Sequence, residues 1–150
     1  MKKIDRGSLT PRTGSRYPPP LDRPCRERSR IALGDAAGLT QFGVNLLTLP
    51  PGVWSSQRHW HSEEDEFVCV IDGEVVLVTD SGEELLRAGD CAGFKAGISD
   101  GHHLQNRSAR PAVVLEIGSR RPEQDVAEYP DVDMRWARQE GPRRKDGTPY

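Results

Sequence analysis

Along residues 41–118 apolar runs of five to nine residues alternate with turn residues. The runs are Gln41–Leu49, Val53–His61, Glu66–Ile71, Glu74–Thr79, Glu83–Arg87, Cys91–Lys95, His102–Arg107 and Ala112–Ile117, each read as a strand. Between them stand Pro50-Pro51-Gly52, Asp72-Gly73, Asp80-Ser81-Gly82 and Ala88-Gly89-Asp90. Asp72-Gly73 lies between two Val-rich runs and predicts a hairpin, because both residues tolerate positive φ. Side chains alternate along a strand, so Glu66, Val68 and Val70 share one face and Phe67, Cys69 and Ile71 the other. Both faces are mainly apolar, which predicts a central strand covered on both sides. No helical period of useful length occurs before residue 120. Many short strands at this spacing predict an all-β fold, a two-sheet jelly roll.

The flanks read differently. Tyr17-Pro18-Pro19-Pro20 favours extended chain and excludes helix, so 1–40 is read as a Pro-rich arm. Residues 119–150 hold few apolar anchors (Val126, Tyr129, Val132, Met134, Trp136) and are read as a tail over the surface of a 41–118 barrel. Charge follows the same division. Residues 1–30 carry nine basic and three acidic side chains, residues 31–118 five and thirteen, and the last 32 are balanced. A phosphate backbone would be repelled by the acidic centre, so no nucleic-acid partner is expected. The first thirty residues show no apolar run of the signal-peptide kind, and no stretch is long enough to span a bilayer. The three cysteines, Cys25, Cys69 and Cys91, fit neither a zinc knuckle nor a disulfide framework. A cytoplasmic protein with no membrane partner is the expectation, with Cys69 and Cys91 as small buried residues in strands.

The chemistry concentrates in the histidines. There are four, in two clusters, His59/His61 and His102/His103. In His59-Trp60-His61 both imidazoles project to one strand face from Cα atoms roughly 6.6 Å apart, close enough to converge on one ion at about 2.0–2.1 Å. Glu66 follows a four-residue turn and supplies a carboxylate. Glu63, Glu64 and Asp65 are rivals for that role but sit in the turn, where solvation is expected. Imidazole and carboxylate together suit iron, manganese, zinc, nickel or copper.

The spacing resembles the cupin superfamily. Its first motif is Gly, a spacer, His-x-His, three or four residues, Glu, six residues, Gly; here Gly52, His59, His61, Glu66 and Gly73 occupy it. Its second is Gly, five residues, Pro-x-Gly, two residues, His, three residues, Asn. Gly89, Lys95-Ala96-Gly97, His102 and Asn106 stand there, with Lys95 in place of Pro and two extra residues before His102. Lys95 is read as solvated. His102 and His103 are the two candidates for the fourth donor: His102 has the offset from Asn106 that the motif requires and is favoured, while His103 would face the opposite way unless the longer loop shifts the register. The resemblance implies a double-stranded β-helix barrel with N- and C-terminal arms, holding one divalent metal ion per chain on His59, His61, Glu66 and His102. It implies a small polar molecule, a sugar or carboxylate, as substrate or ligand, and a homodimer. Similar cupins act as dioxygenases, decarboxylases, isomerases or lyases. A non-catalytic binding or sensing barrel, or a purely structural metal site, is the alternative. An open polar cavity would favour the enzyme; a cavity filled by Phe94, Leu104 or the arm would favour the structural role.

Overall fold

The computed structural model describes residues 3–150; the first two residues of the N-terminal segment lie outside the described residues. Thirteen strands run in chain order among them: β1 (Arg12–Thr13), β2 (Ser29–Ala32), β3 (Phe42–Leu49), β4 (Trp60–His61), β5 (Glu66–Asp72), β6 (Glu74–Thr79), β7 (Gly82–Arg87), β8 (Cys91–Phe94), β9 (His103–Gln105), β10 (Ala112–Ser119), β11 (Val126–Tyr129), β12 (Met134–Ala137) and β13 (Gly141–Arg143). One short helical turn, α1 (Leu33–Ala36), follows β2. The strands form sheets ordered β1-β2-β3-β10-β5-β8, β7-β6-β9 and β13-β12-β11-β4, paired antiparallel. This is the expected jelly-roll barrel.

The core lies inside the barrel. Leu47 and Leu49 of β3, Val68 and Val70 of β5, Val75 and Leu77 of β6, and Ala112 and Val114 of β10 pack together with Leu86 and Leu104. The alternation that buries Val68 and Val70 also points Glu66 inward, at the head of the same strand. The opposite face of β5 is not covered as expected: Phe67 is 39% and Ile71 52% exposed, Cys69 is half-buried and Cys91 is exposed. β5 is central in its sheet, but only one face of that sheet meets the core.

The expected hairpin at Asp72-Gly73 does not form. β5 pairs with β10 and β8, and β6 pairs with β7 and β9, so Gly73 is a corner at which the chain leaves one sheet for another. It has φ +77°, and a Cβ there would lie 2.9 Å from the Pro111 carbonyl oxygen. Glycine is required by that close approach as well as by the turn. The local hairpin is instead β6–β7, where Thr79 faces Gly82 across Asp80-Ser81. The Val53–His61 run is also mostly irregular, with strand only at Trp60–His61 and single bridges from Trp54 to Gln105 and from His59 to His102.

The two flanks are built into the sheets. β2 pairs with β3, and β11 pairs with β4, where Ala127 faces His61. A second apolar cluster joins them: Ala127, Tyr129 and Met134 are buried against Tyr17, Leu21, Val132 and Trp136. The scattered anchors of the tail thus meet those of the arm rather than lying singly on the surface.

Asn106 closes the barrel end. Fully buried, its amide nitrogen donates to the carbonyls of Leu49 and Arg110, each at 2.7 Å, and its oxygen accepts from the Ser108 backbone N–H at 2.9 Å. Asn106→Ala would leave these groups unpaired, and a loss of about 3 kcal/mol is expected from chemical denaturation. A loss below about 1 kcal/mol would show that water replaces the amide.

Candidate metal centre

β4 and the bridge at His59 place His59 and His61 on the inner wall, opposite the inward face of β5. His102 enters just before β9, held by reciprocal backbone hydrogen bonds with His59 at 2.9 and 3.1 Å. Three imidazole Nε2 atoms consequently surround one carboxylate oxygen. Glu66 Oε2 lies 2.9 Å from His102 Nε2, 3.7 Å from His61 Nε2 and 3.9 Å from His59 Nε2. The sequence-derived quartet is thus brought together. The ligand-bearing atoms of His59, His61 and Glu66 all lie within 4.8 Å of one another.

The far side of each ring explains its orientation. His59 Nδ1 lies 3.0 Å from the Gln57 carbonyl oxygen and His61 Nδ1 2.6 Å from Asp125 Oδ2. With the proton on Nδ1, the lone pair of each Nε2 points toward Glu66, the arrangement found where a histidine ligates a metal. Phe94 stacks on His102 with ring centroids 3.5 Å apart, and Tyr129 stacks on His59 at 5.5 Å. His102 Nδ1 is buried without a hydrogen-bond partner. The donor set of three imidazoles and one carboxylate, with two of the rings fixed by hydrogen bonds behind them, fits a first-row divalent ion.

The electrostatics are those of closely packed, partly dehydrated groups. Burial opposes ionisation of Glu66, but the hydrogen bond with His102 and the adjacent His59 and His61 outweigh it and hold its carboxyl well below the usual range. Burial pushes His59 down to about 3, against the pull of Glu66. Burial also opposes charge on His61, yet Asp125 and Glu66 overcome it and raise the ring to about 9. Asp125, 64 residues away in sequence, is a neighbour of the cluster that sequence reading missed. No motif surrounds it; only the β4–β11 pairing brings it to His61.

The remaining candidates separate from the site except Glu64, which with His61 and Asp125 forms a second group of donors within 4.8 Å of one another. His103 faces away: its Nδ1–H donates to the Ser56 carbonyl at 3.0 Å and its Nε2 accepts from Gln105 at 2.9 Å, with Trp54 edge-on at 4.8 Å. Glu63 and Asp65 are exposed. Glu64, expected to be solvated, is half-buried beside His61 and Asp125, its oxygen accepting the Arg121 backbone N–H at 2.6 Å. Burial raises its carboxyl above the ordinary value. Lys95 is exposed, in keeping with its sequence reading. Arg58 is mostly covered; it pairs with Asp80 and Asp131 and reaches the Gly101 carbonyl at 3.3 Å, tying down the loop that delivers His102.

Above the cluster opens a cavity of about 720 Å³. Its floor holds His59, His61, Glu66 and His102, and its wall holds Tyr17, Tyr129, Glu64 and Asp125. Leu104 contributes to the lining without closing it. The Tyr17 and Tyr129 hydroxyls lie 3.5 Å apart, and burial raises both phenols above their ordinary value, so they remain O–H donors at neutral pH.

Comparison with known proteins places this architecture. The cupin domain family matches residues 45–118. A sugar phosphate isomerase of the cupin superfamily from Silicibacter pomeroyi is 47% identical over 99% of this chain and 96% of its own, with a TM-score of 0.92. A protein from Acidithiobacillus ferrooxidans, provisionally named a sugar phosphate isomerase, is 34% identical over 75% of this chain and 70% of its own, with a TM-score of 0.70. A polyketide cyclase from Streptomyces resistomycificus shares the fold at 20% identity, over 79% of each chain, with a TM-score of 0.65. No curated protein matches. With its barrel topology, its two histidine motifs and a relative of near-equal length at this identity, the chain belongs to the cupin family.

Proposed function

We propose that the protein is a metal-dependent isomerase of a phosphorylated sugar, interconverting aldose and ketose. The observation that carries this reading is the convergence of three imidazole Nε2 atoms on Glu66 at the floor of an open, polar cavity. The likeness to a sugar phosphate isomerase over nearly the whole chain supports the substrate class. An open cavity also speaks against a purely structural metal site.

His59, His61, His102 and Glu66 would hold the ion, which when bound supplies Lewis-acid polarisation of a substrate oxygen. The other groups act on the organic substrate. Tyr17 and Tyr129 offer neutral O–H donors that orient sugar oxygens. Aldose–ketose interconversion moves one proton between adjacent carbons and one between oxygens, with no net oxidation, so a proton carrier suffices. Among the carboxylates lining the cavity, Asp35 and Glu116 are paired with Arg120 and Arg30, Asp125 with His61, and Glu66 with three imidazoles. Glu64 forms no salt bridge among the described residues, although His61 lies beside it, and its oxygen accepts the Arg121 backbone N–H; it is the carboxylate placed to carry the proton.

The test is solvent deuterium incorporation, followed by proton NMR, with aldose and ketose phosphates of five and six carbons. Exchange and interconversion are expected in metal-loaded protein. Glu64→Gln is expected to retain the metal and to slow exchange by about 10²-fold or more. A loaded protein that exchanges and converts none of these sugars would refute the isomerase reading.

A further inference from the structure

We propose that Arg12, Arg16, Arg28 and Arg138 form a subsite for the phosphomonoester of the substrate, assembled from the arm and tail in the wall of the cavity. The inference rests on the isomerase reading for the sugar, but its evidence is separate.

Six arginines line this cavity, and two are already neutralised. Arg30 forms two hydrogen bonds with Glu116, at 2.7 and 2.8 Å, and Arg120 is paired with Asp35. The other four have no carboxylate partner among the described residues. Arg28 is the informative one. It is only 8% exposed, and its guanidinium donates to neutral carbonyls alone, those of Gly14 at 3.1 Å and Ser55. No carboxylate lies within ion-pair distance of it; its charge meets only the Tyr17 ring face at 5.6 Å and the more distant Glu116, which already pairs with Arg30. A buried cation so placed favours an anion beside it. Arg12 adds to the set: in the β1–β2 register it stands opposite Arg30, whose carboxylate partner Glu116 is already engaged.

The second pair comes from the other wall. Arg16 sits over the Trp136 ring at 5.0 Å, and Arg138 follows β12 immediately. Arg12, Arg16 and Arg138 are exposed and line the same cavity. The acidic lining residues Glu64, Glu66 and Asp125 belong to the histidine end. The cavity lining therefore combines imidazoles and carboxylates with four guanidinium groups that have no carboxylate partner among the described residues. Guanidinium matches phosphate through paired N–H donors and stays charged at all working pH values. All four arginines lie outside residues 45–118, so the barrel family as such does not carry them.

The test is isothermal titration calorimetry on metal-loaded wild type and the double variant Arg12→Gln, Arg138→Gln, with fructose 6-phosphate, ribose 5-phosphate, the two neutral parent sugars and inorganic phosphate as probes. Both substituted residues are exposed, and an unchanged melting temperature and metal content would exclude misfolding. At least one phosphorylated sugar is expected to bind roughly 10-fold or more tightly than its neutral parent, and the variant to lose roughly 10- to 100-fold for it alone. Arg138→Gln alone is expected to show a smaller loss of the same selectivity. Equal affinity of variant and wild type for the phosphorylated sugars, or no binding of either by wild type, would overturn the subsite. Inorganic phosphate bound as tightly as the sugar phosphates would also overturn it as a substrate site. Should affinities respond as expected without any turnover, the isomerase reading would fall and the subsite stand. Turnover of neutral sugars, undisturbed by the variant, would keep an isomerase and remove the subsite.

Discussion

His61→Ala is expected to lower bound divalent metal from about one ion per chain to almost none, measured by plasma mass spectrometry on protein purified without a histidine tag. Two losses combine. One of four donors disappears, and Asp125, whose side chain is only 9% exposed, loses the imidazole it holds at 2.6 Å. The remaining triad would keep a carboxylate among two rings whose spacing was set by the missing one. Isomerase activity is expected to disappear with the metal. The variant should still fold, because His61 lies outside the apolar core. Full metal occupancy in folded His61→Ala would remove His61 from the ligand set and require another donor from the cavity wall.

Near pH 9, Asp125→Asn is expected to weaken metal affinity by about 10- to 100-fold while leaving all four ligands in place. Its signature is in the pH dependence. In the metal-free protein the carboxylate of Asp125, helped by Glu66 and opposed by burial, raises His61 to about 9. A ligating His61 must release that proton, so apparent affinity in wild type falls as pH drops below about 9, by about tenfold per unit for one proton. The substituted amide would carry no charge, the ring would return toward its ordinary value, and competition from protons would begin at lower pH. The advantage of wild type is therefore largest near pH 9, shrinks as pH falls, and reverses before pH 6.5, because proton competition in wild type outgrows the loss in the variant. Chelator competition across that range checks it; a ratio independent of pH would mean that Asp125 acts only on ring orientation. Stability of the metal-free protein follows the same linkage. The contribution from His61, a raised group, is complete below its ordinary value of 6.5 and is lost as pH rises through about 9. That from His59, a lowered group, is present above 6.5 and is lost as pH falls toward about 3.

Much of the barrel was legible because strand alternation is local. Seven of the eight apolar runs correspond to strands with ends moved by at most two residues, since each run sits between turn residues that stop pairing. The eighth, Val53–His61, becomes strand only at its end because its polar middle pairs with side chains and single bridges. Asp72-Gly73 shows where local reasoning stops. A turn with positive φ was foreseeable, but its use as a corner between sheets depends on β10 approaching from about forty residues away. The exposed outer face of β5 has the same cause, because nothing within the strand states whether a second layer covers Phe67 and Ile71.

For the site, two histidines two residues apart on a strand must share a face, and the fixed spacing to Glu66, His102 and Asn106 carries the family resemblance. The shared face of the two histidines follows from backbone periodicity, whereas the set with Glu66, His102 and Asn106 comes from the resemblance to the cupin motifs. Asp125 behind His61, the joint cluster of Tyr17, Tyr129 and Trp136, and the four arginines of the cavity wall without a carboxylate partner were not contained in the chain order, because each depends on segments separated by tens of residues. Pairing between β4 and β11, and between β2 and β3, creates those neighbours. Local pattern thus specified the barrel and the inward-facing donors, while the long-range register of arm and tail set what surrounds them.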